Sequence, residues 1–224
     1  MLRILIVDDH PLFREALKGA IASTFRESTI IEADSVAALQ ERLAMTSDLD
    51  LLLLDLHVPG AVGFSALVHT RAHHPATPVV MISGDEDPLV MRRAVAHGAA
   101  AFIPKSANAT TIARALESVL EGEVWLPPEA HSSQARPSQQ EADIAARVAS
   151  LTPQQFRVLT MLAEGLLNKQ IAWELKVSEA TVKAHMTVIM KKLGVQNRTQ
   201  AVVAVAGLTL TGDLPLPPDE PEEV

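Results

Sequence analysis

The sequence predicts an α/β domain with a doubly wound, five-stranded parallel sheet, followed by a smaller, all-α domain of four helices with a helix-turn-helix. Three observations support this architecture. Apolar runs alternate with helical patterns through residues 1–121, and a polar, proline-containing stretch occupies residues 122–150. The charge then reverses, because residues 151–210 carry 7 basic and 3 acidic residues in a chain of net charge −8. A basic segment inside an acidic protein indicates that this segment has a polyanionic partner.

The first domain is predicted from five apolar runs that alternate with five helical patterns. The strands are expected at residues 2–7, 29–33, 49–55, 79–83 and 101–104, and the helices near 11–24, 36–46, 64–73, 87–97 and 108–121. This alternation is typical of a doubly wound parallel sheet. Four consecutive leucines, residues 51–54, predict a central strand that is buried on both faces.

The composition narrows the class of protein. With 48% hydrophobic and 21% charged residues the chain is predicted to be globular, and without cysteine it has no disulfide or thiolate chemistry. The N-terminus lacks the features of a signal peptide, and no apolar run approaches membrane-spanning length. We therefore expect a soluble cytoplasmic protein without a membrane partner.

Polar residues follow the predicted strands of the first domain. Asp8 and Asp9 end the first strand, Asp55 ends the third, Ser83 ends the fourth, and Lys105 follows the fifth. The carboxyl ends of parallel strands meet at one edge, where three carboxylates would repel one another unless a cation such as Mg²⁺ joined them. A carboxylate nucleophile, Mg²⁺, a hydroxyl and a lysine together suit the capture of a phosphoryl group. A rim of solvated acids would not explain the serine and the lysine.

These residues carry a family resemblance. Asp8-Asp9, Asp55 with Pro59-Gly60, Ser83-Gly84 and the run from Phe102 to Lys105 resemble the receiver domain of bacterial two-component response regulators. The resemblance implies that Asp55 accepts a phosphoryl group from a sensor histidine kinase.

The same resemblance implies roles for the surrounding residues. Asp8, Asp9 and Asp55 would hold Mg²⁺, with the backbone carbonyl of His57 as a further ligand. Ser83 and Lys105 would contact the phosphoryl oxygens, and Phe102 would swing inward behind the serine.

Two positions depart from the receiver pattern. Val58 stands where methionine is usual, and His57 is a bulky residue two positions after the nucleophile. His57 either borders the path of the hydrolytic water or is a loop histidine without a role. Three further histidines, at positions 69, 73 and 74, form no ligand pattern with an acid and are interpreted as surface residues.

The segment 122–150 is interpreted as a linker. It contains Pro127-Pro128 and the run Pro137-Ser138-Gln139-Gln140, which are typical of a connector, and residues 140–149 are compatible with a short helix. This pattern predicts an independently placed second domain.

The second domain begins with a helix-start signal. Thr152 is a predicted N-cap, Pro153 occupies the first helical position, and Gln155 completes a capping box. A short helix from Asn168 and a longer, basic one over residues 179–193 then predict a helix-turn-helix. A helical bundle with solvated lysines is the alternative.

Residues 151–199 closely resemble the DNA-binding domain of LuxR-type regulators, so the chain resembles the NarL/FixJ arrangement. The shared positions are Glu164-Gly165, Asn168-Lys169, Ile171-Ala172, the run 178–185, Lys192 to Val195, and Arg198-Thr199. Departures are Gln155, where glutamate is usual, and Thr187, where the family has a longer polar residue.

The LuxR-type resemblance assigns residues to DNA and to a dimer surface. Lys183, Ala184 and Thr187 would face the major groove. The implied phosphate contacts are Asn168, Lys169, Thr181, Lys191 and Lys192. A helix near residues 199–207 would form a dimer surface with Ala201, Val202 and Val205, or would pack only within its own domain.

The sequence therefore predicts a response regulator with a receiver at 1–121, a linker at 122–150, a DNA-binding domain at 151–210 and a disordered acidic tail at 211–224. Phosphorylation of Asp55 would control dimerisation and DNA binding, with Mg²⁺ as cofactor. The expected partners are DNA, a sensor histidine kinase and a second copy of the chain. Whether RNA polymerase is a further partner is left open by the sequence. A phosphohydrolase that forms an aspartyl-phosphate and a protein-interaction module are the alternatives, although no second acid or glycine loop supports the enzyme.

Overall fold

Five parallel strands form one sheet in the order β2-β1-β3-β4-β5, which is the flavodoxin-like arrangement. The computed structural model describes residues 1–46, 48–132 and 137–208. The strands are β1 (Leu2–Val7), β2 (Ser28–Ala33), β3 (Leu51–Asp55), β4 (Val79–Ser83) and β5 (Ala101–Pro104). The sheet confirms the predicted fold class, although β3 begins two residues later than expected.

Helices cover both faces of the sheet. They are α1 (Pro11–Thr24), α2 (Val36–Met45), α3 (Ser65–His73), α4 (Pro88–Ala96) and α5 (Ala109–Leu120). Because side chains alternate along a strand, Ile4 and Leu51 lie in a core with α1 and α5, whereas Leu5 and Leu52 lie in the opposite core with α2, α3 and α4. The four leucines of β3 are each 0% exposed, which confirms the predicted central strand.

The strand register aligns the chemically important strand ends. Asp55 pairs with Ile82, so that Ser83 lies one residue beyond it, and Ser83 pairs with Pro104. The backbone N–H of Lys105 donates to the carbonyl of Ser83 at 2.7 Å. The ends of β3, β4 and β5 therefore meet at one edge, as predicted.

The rest of the described chain is helical. A short 3-10 helix (Pro128–Ser132) precedes α6 (Gln139–Ala149), α7 (Pro153–Ala163), α8 (Asn168–Glu174), α9 (Glu179–Leu193) and α10 (Arg198–Ala206). Thr152 and Gln155 form the predicted capping box at the start of α7. Gly194 ends α9 with a φ of 71°, a left-handed conformation that favours glycine.

The second domain is docked on the first, which differs from the expected independent placement. The linker helix α6 packs along α3, and α7 contacts α2. The core beside α2, α3 and α4 continues without interruption into the core of α6 to α10. The amphipathic face of α6 supplies this contact, because Glu141, Ala145 and Val148 are all buried.

Within the described residues, no helix is both long and apolar enough to cross a membrane. The expected acidic tail lies outside the described residues.

Candidate functional site

Three carboxylates converge at the carboxyl end of β1 and β3. Asp8 and Asp55 are buried, whereas Asp9 is exposed. One ligand atom from each of Asp8, Asp9, His10 and Asp55 lies within 4.8 Å of the others. Carboxylate oxygens are the ligands that Mg²⁺ prefers, so this oxygen-rich cluster fits a metal ion.

Lys105 lies inside the carboxylate cluster. Its Nζ is 2.8 Å from Asp8 Oδ2 and 2.9 Å from Asp55 Oδ2. Burial lowers the pKa of Lys105, but hydrogen bonds and charge attraction from Asp8 and Asp55 outweigh it and raise the pKa above its ordinary value. The lysine is therefore a fixed positive charge beside Asp55.

Ser83 and Phe102 line the interior side of the same edge. Ser83 is fully buried, and its Oγ accepts a hydrogen bond from the backbone N–H of Asp85 at 3.0 Å. Phe102, on the neighbouring strand, is also fully buried. Ser83 thus lies at the end of β4, next to the strand of Asp55, and Phe102 lies on β5, one strand further along the sheet.

A cavity opens above Asp55. Its volume is about 640 Å³, and its lining includes Leu12, Phe13, His57 and Lys105. His57 is exposed, and its backbone N–H donates to Asp55 Oδ1 at 3.3 Å. Asp55 therefore lies at the border of this space, although its side chain is only 1% exposed.

His10 is a site residue that the sequence interpretation missed. Its Nδ1 lies 3.1 Å from Asp8 Oδ1 and 2.8 Å from Asp9 Oδ1. Its position directly after the two aspartates was the available signal, because a residue at a strand end is held close to its neighbours.

The second candidate site is the exposed face of α9. Val182, Met186, Ile189 and Leu193 are buried on the opposite face and fix α9 against its own domain. Lys183, Ala184, Thr187 and Lys191 are exposed, as the helical period requires. Asn168 is half-buried, and Lys169 and Thr181 are exposed.

Lys192 differs from the other predicted DNA contacts. Its Nζ donates to the carbonyl of Ser150 at 2.6 Å and to Gln155 Oε1 at 2.9 Å. These bonds tie α9 to the start of α7. In this arrangement two of the three N–H donors of Lys192 are used within the protein, which leaves one for a phosphate.

The predicted dimer residues of α10 are largely covered. Ala201 is 0% and Val205 is 2% exposed, whereas Val202 is half-buried. The burial agrees with the alternative that this face packs within the chain.

Comparison with known proteins identifies both domains. Residues 4–117 match the response regulator receiver domain, and residues 149–205 match the bacterial regulatory proteins of the luxR family. The nitrate/nitrite response regulator NarL of Escherichia coli K12 is 33% identical over 209 residues, which cover 90% of this chain and 94% of that protein. The chain is a response regulator of the NarL/FixJ type.

Two further similarities support the same family. The glycerol metabolism activator of Pseudomonas putida is 39% identical to this chain over 219 residues, which cover 96% of this chain and 99% of that protein. A structure of RcsB from Salmonella enterica serovar Typhimurium bound to promoter rprA has a TM-score of 0.55 at 20% identity, covering 93% of this chain and 100% of that one. At that identity the structural likeness shows the shared fold.

The two domains of the response regulator meet next to the Asp55 loop. Gly60 has a φ of 86°, and a Cβ there would lie 3.1 Å from Val36 Cβ and 3.2 Å from Oε1 of Glu164, the C-cap residue of α7. The backbone N–H of Phe64 donates to the carbonyl of Leu208 at 3.1 Å. The loop after β3 therefore contacts the DNA-binding domain directly.

His69 also lies at this interface, so its interpretation as a surface residue was wrong. It is 5% exposed, and its ring stacks on Phe156 of α7 at a centroid distance of 4.0 Å. His69 Nε2 also lies 3.2 Å from the carbonyl of Leu151. The second domain buries this side chain, and no pattern within α3 alone could show that.

Proposed function

We propose that Asp55 is the phosphoacceptor of this response regulator and that a sensor histidine kinase is the donor. The observation that carries the proposal is the position of Lys105, whose Nζ lies 2.9 Å from the carboxylate of Asp55 at the floor of an open cavity. An Asp55 oxygen forms a bond to phosphorus while the bond from phosphorus to the kinase histidine breaks, and the histidine nitrogen keeps the electron pair.

Asp8, Asp9 and Asp55 are the residues that would hold Mg²⁺, with the carbonyl of His57 as a further ligand. When bound, this ion supplies positive charge against the phosphoryl oxygens. Lys105 contributes a second positive charge from the protein itself, and Ser83 supplies a hydroxyl donor after its Oγ turns towards the phosphoryl group. Phe102 would then fill the space that Ser83 leaves.

The α9 helix is proposed to enter the major groove of DNA. Lys183 donates to the edge of a guanine. Ala184 and Thr187 have shorter side chains and contact the edges of neighbouring bases. Lys169, Thr181 and Lys191 are exposed beside them and suit the phosphates. Two copies of the chain would place two such helices on successive turns of DNA.

The chain is thus proposed to be a regulator, not an enzyme, with the boundaries 1–121, 122–150 and 151–210 for its receiver, linker and DNA-binding domain. The phosphoryl group would change the receiver surface on which the second domain is docked and so favour dimerisation and DNA binding.

DNA binding tests this proposal. DNA sites would be selected from a random pool, and the affinity for the selected site measured with and without acetyl phosphate and Mg²⁺ at fixed salt concentration. We expect phosphorylation to increase the affinity of the wild-type protein and to leave that of Asp55→Asn unchanged. Equal gains in both proteins, or sequence-independent binding, would contradict it.

A further inference from the structure

His10 adds a nitrogen atom to the carboxylate cluster beside Asp55. Within the described residues, one group of side chains could hold a metal ion, and its members are Asp8, Asp9, His10 and Asp55. The three aspartates offer carboxylate oxygens, whereas His10 offers an imidazole nitrogen. His57 lines the same cavity, but its ring is not a member of this group. The ligand set of this site is therefore mixed, with oxygen and nitrogen atoms.

The spacing of these atoms is that of neighbouring ligands on one ion. Two ligand atoms at right angles, each about 2.1 Å from a metal ion, are about 3.0 Å apart. His10 Nδ1 lies 2.8 Å from Asp9 Oδ1 and 3.1 Å from Asp8 Oδ1. An Nδ1–H group can also donate to these oxygens, but a neutral imidazole carries its single proton on either nitrogen. With the proton on Nε2, the lone pair of Nδ1 is available to a metal ion.

The backbone holds His10 in place independently of its ring. The backbone N–H of His10 donates to Asp8 Oδ1 at 2.8 Å, and its carbonyl accepts from the N–H groups of Phe13 and Arg14 at 3.1 Å. The ring forms no capping hydrogen bond to α1, and the side chain is 65% exposed. The ring therefore belongs neither to the core nor to the helix start, so its replacement should leave the fold intact.

The mixed ligand set favours a transition-metal ion over Mg²⁺. Mg²⁺ is a hard ion that prefers oxygen ligands, whereas imidazole nitrogen binds divalent transition-metal ions more strongly. A nitrogen ligand therefore increases the affinity for an ion such as Mn²⁺ and changes the affinity for Mg²⁺ little. The three carboxylates suit Mn²⁺ as well, because this ion also accepts oxygen ligands.

We propose that Nδ1 of His10 is a ligand of a divalent transition-metal ion that is held together with the carboxylates of Asp8, Asp9 and Asp55. His10 thereby makes the site selective for this class of ion over Mg²⁺. This role of His10 rests on the proposed function, in which the same carboxylates hold the ion. When bound, a transition-metal ion supplies positive charge against the phosphoryl oxygens, as Mg²⁺ would.

Mn²⁺ and Mg²⁺ are the probes, and the full-length, unphosphorylated protein is the sample. Calorimetric titration at fixed pH and salt concentration gives the dissociation constant of each ion. We expect the wild type to bind Mn²⁺ at least about ten-fold more tightly than Mg²⁺. His10→Phe keeps a ring but has no nitrogen ligand. This variant should bind Mn²⁺ about ten-fold more weakly than the wild type and Mg²⁺ within about two-fold of it.

His74→Phe is the matched control. His74 is a half-buried histidine that follows the C-terminal end of α3, whereas the loop after Asp55 precedes the N-terminal end of this helix. The control should bind both ions like the wild type. If circular dichroism shows that His10→Phe is poorly folded, His10→Gln replaces it, and the same loss of Mn²⁺ affinity is expected.

Pulsed electron paramagnetic resonance of the Mn²⁺-bound protein identifies the nitrogen ligand directly. The spin echo of the wild type should be modulated by a coordinated nitrogen nucleus. The modulation frequencies should change when only the histidines carry the heavy nitrogen isotope. This modulation should be present in His74→Phe and absent from His10→Phe.

The outcomes separate the role of His10 from the metal site itself. The role of His10 would be overturned by equal effects of His10→Phe on Mn²⁺ and Mg²⁺ binding, by nitrogen modulation that is absent from the wild type, or by modulation that persists in the folded variant. In each of these cases Mg²⁺ binding by the wild type would still support the proposed metal site. No saturable binding of either ion to the wild type would contradict both.

Discussion

His97 Nε2 lies 2.6 Å from Glu141 Oε1, and the same oxygen accepts hydrogen bonds from Nε and Nη2 of Arg93 at 2.9 and 2.8 Å. Arg93 and His97 belong to the end of α4, and Glu141 belongs to the first turn of the linker helix α6. The side chains of Arg93, His97 and Glu141 are 12%, 4% and 9% exposed, so water reaches little of the cluster. This cluster joins the receiver to the linker.

The cluster also lies where α4 meets the linker helix α6. Helix α4 follows the strand that ends in Ser83, and Phe64 packs against both Arg93 and His97. The Phe64 N–H in turn donates to Leu208, beyond the end of α10. A displacement of α4 would therefore change the contacts of Glu141 and of Phe64 together.

Glu141→Ala is predicted to weaken this junction. Removing the Glu141 carboxylate takes away the hydrogen bonds that it accepts from Arg93 Nε and Nη2 and its contact with His97 Nε2, so the free energy of unfolding should fall by about 3 kcal/mol. Denaturant titration measures this value. Asp143→Ala, an exposed acid on the same helix, is the control and should change stability by less than about 0.5 kcal/mol. Equal losses in the two variants would show that Glu141 has no special role.

The same variant should bind DNA more tightly before phosphorylation. If docking opposes DNA binding, loosening Glu141 shifts the population towards the undocked form. The affinity of the unphosphorylated protein for a selected site should rise several-fold in Glu141→Ala and stay unchanged in Asp143→Ala. A lower affinity in Glu141→Ala would mean that docking assists DNA binding.

His69 makes stability depend on pH. Burial, and then the nearby His73, lower its pKa from 6.5 to about 3 in the folded protein. Between these values the unfolded chain takes up a proton that the folded chain does not. The contribution of His69 to the free energy of unfolding is therefore fully present above pH 6.5. It is lost as the pH falls towards 3, by up to about 1.4 kcal/mol per pH unit.

His69→Phe keeps a ring against Phe156 but cannot titrate. We expect the variant to be less stable than the wild type at pH 8, because the Leu151 carbonyl loses its partner, and to lose less stability on acidification. Denaturant titrations at several pH values give both slopes. Identical slopes in the two proteins would contradict the burial of His69 between the domains.

Much of the sheet edge around Asp55 could be predicted from the sequence. Asp55 and Ser83 end strands whose order along the chain predicts their shared edge, and Lys105 follows the next strand. Local patterns were sufficient because parallel strands place their carboxyl ends together. The capping box at Thr152 could also be predicted from a local pattern, because its two partners, Thr152 and Gln155, are three residues apart.

The docking of the domains could not be predicted in this way. Glu141 and His97 are 44 residues apart in the sequence, and neither belongs to a recognisable motif. His69 appeared polar and unpaired on α3 because its partners, Phe156 and Leu151, belong to the other domain. Long-range packing decided both positions, and hydrophobic periodicity contains no information about the partner of a helix.

Lys105 is predicted to compete with a metal ion for the carboxylates. Its ammonium group lies within 3 Å of both Asp8 and Asp55, so Lys105→Gln increases the local negative charge. The dissociation constant for Mg²⁺ should fall by roughly ten-fold. Calorimetric titration measures it, and Lys176→Gln, an exposed lysine of the second domain, is the control. Weaker Mg²⁺ binding by Lys105→Gln would contradict this account of the site.

Two lysines of α9 should differ in their effects on DNA binding. Lys183→Ala should cost about 1 to 3 kcal/mol on the selected site and relax base preference at one position. Lys191→Ala should weaken binding on all sequences and reduce the salt dependence by about one ion. Competition binding at several salt concentrations separates the two. The same profile for both variants would contradict the proposed orientation of α9.

The central claim is that Asp55 receives the phosphoryl group, and intact mass tests it most directly. The wild-type protein and Asp55→Asn would be incubated with acetyl phosphate and Mg²⁺ and then weighed by mass spectrometry. One added phosphoryl group on the wild type and none on the variant is the predicted result. The same addition to both proteins would place the modification at another residue, and addition to neither would show that Asp55 does not accept phosphoryl groups from this donor.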